Sequence, residues 1–187
     1  MRRSVILAVM AGALLVVLQS SIGHAGGSPT PGFTAAFSPS TIGPGSTTTL
    51  TFTIDHSEGY DAADGLAFSV TFPAATDIAT PASASTDCGG TLTAPDGGDT
   101  VTLADGRLGA GLICTVTLNV TPDPAYTIAN PRQIVTGDLT SSLGNSGTAT
   151  ASLSVDTDLP GFSKAFSPSS IPVGGTSTLT FTIDNSE

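Results

Sequence analysis

Few residues in this chain have side chains capable of chemistry. After the first 25 residues there is one histidine, His56, and it follows Asp55 in "DHSE". A histidine beside a carboxylate is the core of a relay that activates a serine or cysteine nucleophile. The chain itself argues against that use. The stretch "PGFTAAFSPSTIGPGSTTTLTFTIDHSE" at residues 31–58 returns as "PGFSKAFSPSSIPVGGTSTLTFTIDNSE" at residues 160–187, identical at 20 of 28 positions, and Asn185 stands where His56 stood. An amide cannot shuttle a proton, so His56 reads as a polar residue at a loop end, and catalysis is not expected. No glycine-rich loop comes with the lysine that a phosphate cradle uses.

Metal and covalent chemistry have more material. Asp55, Glu58, Asp61 and Asp64 crowd into "DHSEGYDAADG", and Asp156 and Asp158 lie in "DTDLPG". Calcium takes six to eight oxygen ligands, and these acids would supply some of them if the fold gathered them at one end of a unit. Their spacing fits no EF-hand loop, and solvated loop acids are the competing reading. The two cysteines, Cys88 and Cys114, are expected to form a disulfide, because zinc would require more ligands than two cysteines and His56 readily give. Closing 26 residues would stabilise the unit by about 3 to 4 kcal/mol in the chain-entropy model. Tyr60 and Tyr126 are the two tyrosines; they would either stack on a sugar or pack at the rim of a core. No cofactor is expected.

The leader sets the compartment. Arg2 and Arg3, the apolar run from Val5 to Leu18 and the small residues around Gly23-His24-Ala25 have the three-part form of a secretory signal, with cleavage expected after Ala25. That apolar run is shorter than the ~20 residues a membrane helix needs. The mature segment holds no other candidate span and is expected to be secreted or at the cell surface. Its three cations, Arg107, Arg132 and Lys164, face fifteen acidic residues, a net charge of −12. So acidic a surface repels phosphate backbones, which sets nucleic acid aside as a partner.

What positions these residues is a set of strands. Leu50, Phe52 and Ile54 alternate with Thr49, Thr51 and Thr53; Leu66, Phe68, Val70 and Phe72 repeat the pattern, as do Leu112, Cys114, Val116, Leu118 and Val120, and Ala149, Ala151, Leu153 and Val155. Period two with one apolar face describes half-buried strands. Val101 with Leu103, and Ile128 within "AYTIA", supply shorter pieces. "GPG" at 43–45, "ADG" at 63–65 and 104–106, "PDGGD" at 95–99 and "TPDP" at 121–124 read as the turns between strands. No window has a helical period. The expected fold is an all-β, immunoglobulin-like antiparallel sandwich over residues 31–157, preceded by a signal peptide at 1–25. A linker at 158–161 and the first two strands of an incomplete second repeat at 160–187 follow.

The phrases "AFSPSTIGPGSTTTLTFTIDHSE", "TDCGGTLTA", "LICTVTLNV" and "GDLTSSLGNSGTATASLSV" resemble the conserved-repeat domains of unknown function strung in tandem along large secreted or surface-attached bacterial proteins. The resemblance implies an immunoglobulin-like sandwich without catalytic residues, working as a structural stalk or spacer whose partners are neighbouring repeats of the same chain. The alternative is an adhesion module that binds a glycan or protein through its end loops.

Overall fold

The computed structural model describes residues 27–123, 130–156 and 160–184. The expected leader, Tyr126, Ile128, Asp158 and Asn185 lie outside the described residues. Among those described, the strands are β1 (Gly32–Ser38), β2 (Thr41–Ile42), β3 (Thr48–Asp55), β4 (Ala63–Thr71), β5 (Thr76–Ile78), β6 (Ser85–Thr86), β7 (Thr91–Thr93), β8 (Thr100–Leu108), β9 (Ile113–Pro122), β10 (Arg132–Val135), β11 (Thr140–Ser141), β12 (Gly144–Asn145), β13 (Thr150–Val155), β14 (Gly161–Ser167) and β15 (Thr178–Asp184).

Alternation decides how these strands pack. In β3 the side chains of Leu50, Phe52 and Ile54 have no solvent exposure, while Thr49, Thr51 and Thr53 stay half-exposed. β3 lies between β1 and β9 in a sheet of order β1-β3-β9-β5, with β6 also on β9. A second sheet runs β12-β11-β4-β8-β7, and a third runs β10-β13-β2. The apolar faces meet in one core. Phe33 of β1 and Phe52 of β3 each bring their rings within 5.0 Å of the ring of Phe68 in β4, at tilted angles that suit aromatic quadrupoles. Leu66, Val70, Leu103, Val116, Leu118, Ile134 and Leu153 complete the buried layer. Each such side chain contributes roughly 1.5 to 3 kcal/mol by leaving water, so the all-β sandwich follows from the strand pattern.

Three local expectations are corrected. Both "ADG" stretches lie inside strands, one in β4 and one in β8, where the pairing register slips between Asp64 and Leu66 and again between Leu66 and Phe68. Gly65 and Asp105 have φ of 65° and 54°. A bulge uses the same left-handed backbone as a turn, so the short signal cannot tell them apart. Leu112, expected to point inward, is 56% exposed: its amide closes a turn onto the Gly109 carbonyl at 3.3 Å, and the strand starts one residue later. His56, expected at the surface, is 2% exposed, for reasons given below.

The sandwich has two ends. At the leading end Gly32 pairs with Asp55, and Asp55 with Ile113. At the trailing end β13 lies parallel to β2, Ser154 beside Thr41 and Val155 beside Ile42. The ten residues of β9 run along this axis, a length of about 33 Å at strand rise.

Candidate functional site at the leading end

β3 delivers His56 into a turn closed on every side. The His56 amide donates to the Leu112 carbonyl at 2.9 Å, and its own carbonyl accepts from Gly59 at 2.9 Å and Gly111 at 3.1 Å. Its ring nitrogen Nε2 lies 2.8 Å from the Asp61 carbonyl. A carbonyl only accepts, so Nε2 carries the proton of this bond. Nδ1 is buried and has no hydrogen-bond partner among the described residues. Gly59 packs flat against this ring: a Cβ there would fall 2.1 Å from Cε1 and Nε2. Position 59 therefore requires glycine for as long as the imidazole fills the space.

Residues 27–31 strap the turn from outside. The Ser28 hydroxyl oxygen accepts from the Tyr60 amide at 3.1 Å and the Asp61 amide at 3.2 Å. Beside the strap is an open hollow of about 250 Å³, lined by Pro29, Thr30, Asp55, Ser57 and Glu58 as well as His56. The Asp55 carboxylate accepts from the Ser57 amide at 2.9 Å. Hydrogen bonds from Ser57 hold this carboxyl below its ordinary pKa, with a small further contribution from His56. The histidine, read from sequence as a polar residue at a loop end, is a buried turn anchor: its Nε2 proton is committed to the Asp61 carbonyl, not to a hydroxyl or thiol. The sequence signal for its burial would have been Gly59, three residues on.

The candidate calcium ligands are dispersed. Asp64 pairs with the Arg107 guanidinium at 3.0 Å on the surface, Asp61 contributes a backbone carbonyl to His56, and Glu58 borders the hollow. Asp156 is at the trailing end, its amide bonded to the Ile42 carbonyl at 2.8 Å. Among the described residues, the His, Cys, Asp and Glu ligand atoms that come within 4.8 Å of one another in a group of three belong to Asp87, Cys88 and Cys114. The two sulfurs of that group are bonded to each other.

The disulfide sits where the chain changes sheets. Thr86 pairs with Val116 in β9, and five residues later Thr91 pairs with Ala104 in β8. Between them Cys88 is fully buried, and its carbonyl accepts from the Arg107 amide at 2.7 Å. Cys114 is opposite Ile54 of β3. The bridge fastens the crossover to the core of the first sheet. Tyr60, 38% exposed, shares the leading end with Leu112 and with Ile113, which is 53% exposed.

The sequence profile of the family described as "Domain of unknown function (DUF7933)" matches residues 31–155 and again residues 160–187. The chain belongs to that family. No curated protein matches it. Among solved structures, it is similar to the bacterial hydrophobin BslA, with 18% identity over 71% of this chain and 98% of that one and a TM-score of 0.47. It is also similar to a cohesin module from a Clostridium perfringens family 33 glycoside hydrolase, with 12% identity over 69% and 100% of the two chains and a TM-score of 0.44. A non-cellulosomal cohesin from the archaeon Archaeoglobus fulgidus has 12% identity over 66% and 89% and a TM-score of 0.35. At such scores these likenesses assign no function and no ligand. Among the described residues, no helix is long and apolar enough to cross a membrane.

Proposed function

We propose that the chain is an exported, non-catalytic repeat module that acts as a stalk or spacer, with residues 1–25 removed on export and neighbouring repeats as its partners. The supporting observation is how the polypeptide enters and leaves the sandwich. Residues 27–31 strap the leading end, and the chain leaves past Val155 at the opposite end, so each unit of a tandem array would add its long dimension. The trailing strand is also held for tension. Ser154 donates to the Ser40 carbonyl at 2.9 Å and Asp156 to the Ile42 carbonyl at 2.8 Å. Asn130 grips Val155 twice, its Nδ2 donating to the Val155 carbonyl at 2.8 Å and its Oδ1 accepting the Val155 amide at 2.9 Å. Because β2 and β13 run parallel, a pull on the chain ends loads these bonds together in shear. A buried disulfide accords with an oxidising compartment.

One observation favours the adhesion reading instead: the exposed group of Tyr60, Leu112 and Ile113 at the leading end. An array of glycans and extracellular proteins probed with the exported chain separates the two. A spacer gives no salt-resistant signal above control. A salt-resistant signal that disappears in Tyr60→Ala would overturn the spacer reading in favour of an adhesin.

A further inference from the structure

The chain writes one hairpin twice. β1 pairs with β3 from Gly32 opposite Asp55 to Ser38 opposite Thr49, and β14 pairs with β15 from Gly161 opposite Asp184 to Ser167 opposite Thr178, so the registers agree pair for pair. The inward residues agree too: Phe33, Phe37, Leu50, Phe52 and Ile54 recur as Phe162, Phe166, Leu179, Phe181 and Ile183. A sandwich that selected its first hairpin by these residues alone would accept either. Near-identical units are prone to such exchange, which is how repeat proteins misassemble and swap elements.

One inward position differs in kind. Ala35 shares a face with Phe33 and Phe37, stands opposite Phe52 and packs against the core. Its counterpart is Lys164, opposite Phe181 and the single lysine of the chain. Thr48 and its counterpart Ser177, by contrast, keep one role: Thr48 Oγ1 donates to the Pro39 carbonyl at 2.6 Å and Ser177 Oγ to the Pro168 carbonyl at 2.5 Å. A lysine in the place of Ala35 would carry its ammonium into an apolar layer, with β13 alongside and its Ala151, Leu153 and Val155 buried. No carboxylate could meet it inside, because no acidic residue is buried among the described residues. An ammonium taken from water without a partner is strongly disfavoured.

Reach decides which exchange matters. β14 seated in the place of β1 would begin at the leading end, about 30 Å from Val155 at the trailing end, whereas the chain from Val155 to Gly161 spans at most about 22 Å. A chain therefore cannot seat its second hairpin in its own first unit, but the hairpin of another copy is under no such restraint. We propose that Lys164 bars the β14–β15 hairpin of one copy from taking the place of β1–β3 in another. β1 is the edge strand of its sheet, and a charge aimed inward on an edge strand refuses the wrong partner. The first unit loses nothing by it, since its own strand carries Ala35.

The test refolds variants of the full chain at micromolar and submillimolar concentration and follows thermal melting. Phe52→Asp puts a charge on a fully buried residue of β3, so a chain carrying it cannot use its own first hairpin and should show no cooperative melt at either concentration. Phe52→Asp with Lys164→Ala should regain a melt at the higher concentration only, each copy lending its β14–β15 to the other. Phe52→Asp with Lys164→Arg should stay unfolded, which separates charge from the shape of lysine. Ala35→Lys should lower the folding equilibrium constant more than about tenfold below that of Ala35→Met, a side chain of similar length without the charge. A melt regained by Phe52→Asp alone, or with Lys164→Arg, overturns the proposal, because the charge is then no barrier. A Lys164→Ala double variant that stays unfolded at both concentrations overturns it too, since the hairpins are then not interchangeable and there is nothing to bar. A melt of equal strength at both concentrations places the exchange within one chain and overturns its assignment to separate copies. Ala35→Lys as stable as Ala35→Met overturns the charge argument itself.

Discussion

Pulling the sandwich from its two ends tests the stalk reading and the disulfide together. Suppose handles are attached at Thr30 and Pro160 and the chain is stretched at constant force. The bond between Cys88 and Cys114 removes 26 residues from the length that can extend. At up to 3.6 Å per residue, and with about 30 Å already spanned by the folded unit, the oxidised sandwich should lengthen in one step of about 340 Å. Breaking the disulfide should release a further step of about 90 Å. Order is the discriminating feature. Cys88 is fully buried and Cys114 is 2% exposed, so a thiol in solution has no line of attack until the sandwich opens. In dithiothreitol the short step should follow the long one in every trace. Without thiol it should be absent. The reasoning is refuted if the short step precedes the long one, which would mean that the bond is reachable in the folded unit. An oxidised chain that gives up its whole length at once would refute the pairing itself. Extension at forces too low to resolve would remove the case for a tension-bearing trailing strand.

Four smaller perturbations address the ends. His56→Asn should cost about 1 to 3 kcal/mol by thermal melting, since it removes a buried ring and its bond to the Asp61 carbonyl. Gly59→Ala should cost a similar ~1 to 3 kcal/mol by overpacking, and the double variant should lose less than the sum, because the shorter amide vacates the space that the new methyl needs. Asn130→Ala should lower stability by about 1 to 3 kcal/mol and lower the unfolding force, because two hydrogen bonds to Val155 are lost together. Asp55 governs part of the acid limb. Its carboxyl is depressed in the folded state by bonds from Ser57, so its contribution is present above the unfolded value and lost as pH falls through the folded one. Denaturant midpoints of wild type and Asp55→Asn should therefore differ near neutrality and converge in strong acid.

Much of the fold was legible because alternation is a local property. The inward residues of β3, Leu50, Phe52 and Ile54, follow from the spacing of apolar and Thr positions, and the same holds for Phe68 and Val70 in β4 and for Val116 and Leu118 in β9. With two cysteines in the chain, a disulfide within it could take one form. The recurrence of the 31–58 phrase at 160–187 was visible by inspection, and that segment holds the strands β14 and β15. The short strands β5, β6, β7 and β10 carried too few residues for a period to register.

Where the sequence fell short, the deciding partner was far away along the chain. Gly65 and Asp105 have turn chemistry, and whether it closes a turn or forms a bulge depends on β4 and β8 lying side by side, some forty residues apart. His56 looked like a solvated loop residue because its immediate neighbours are Asp55, Ser57 and Glu58. Its burial is the work of Ser28, Leu112 and the Asp61 carbonyl, which converge on one turn once the sheet has formed. The opposition of the two ends likewise rests on β13 lying parallel to β2, a pairing across more than a hundred residues. Local pattern fixed which way each strand faces, since that depends on adjacent side chains alone; tertiary packing decided what each strand end meets, since that is set by contacts no neighbouring residue can specify.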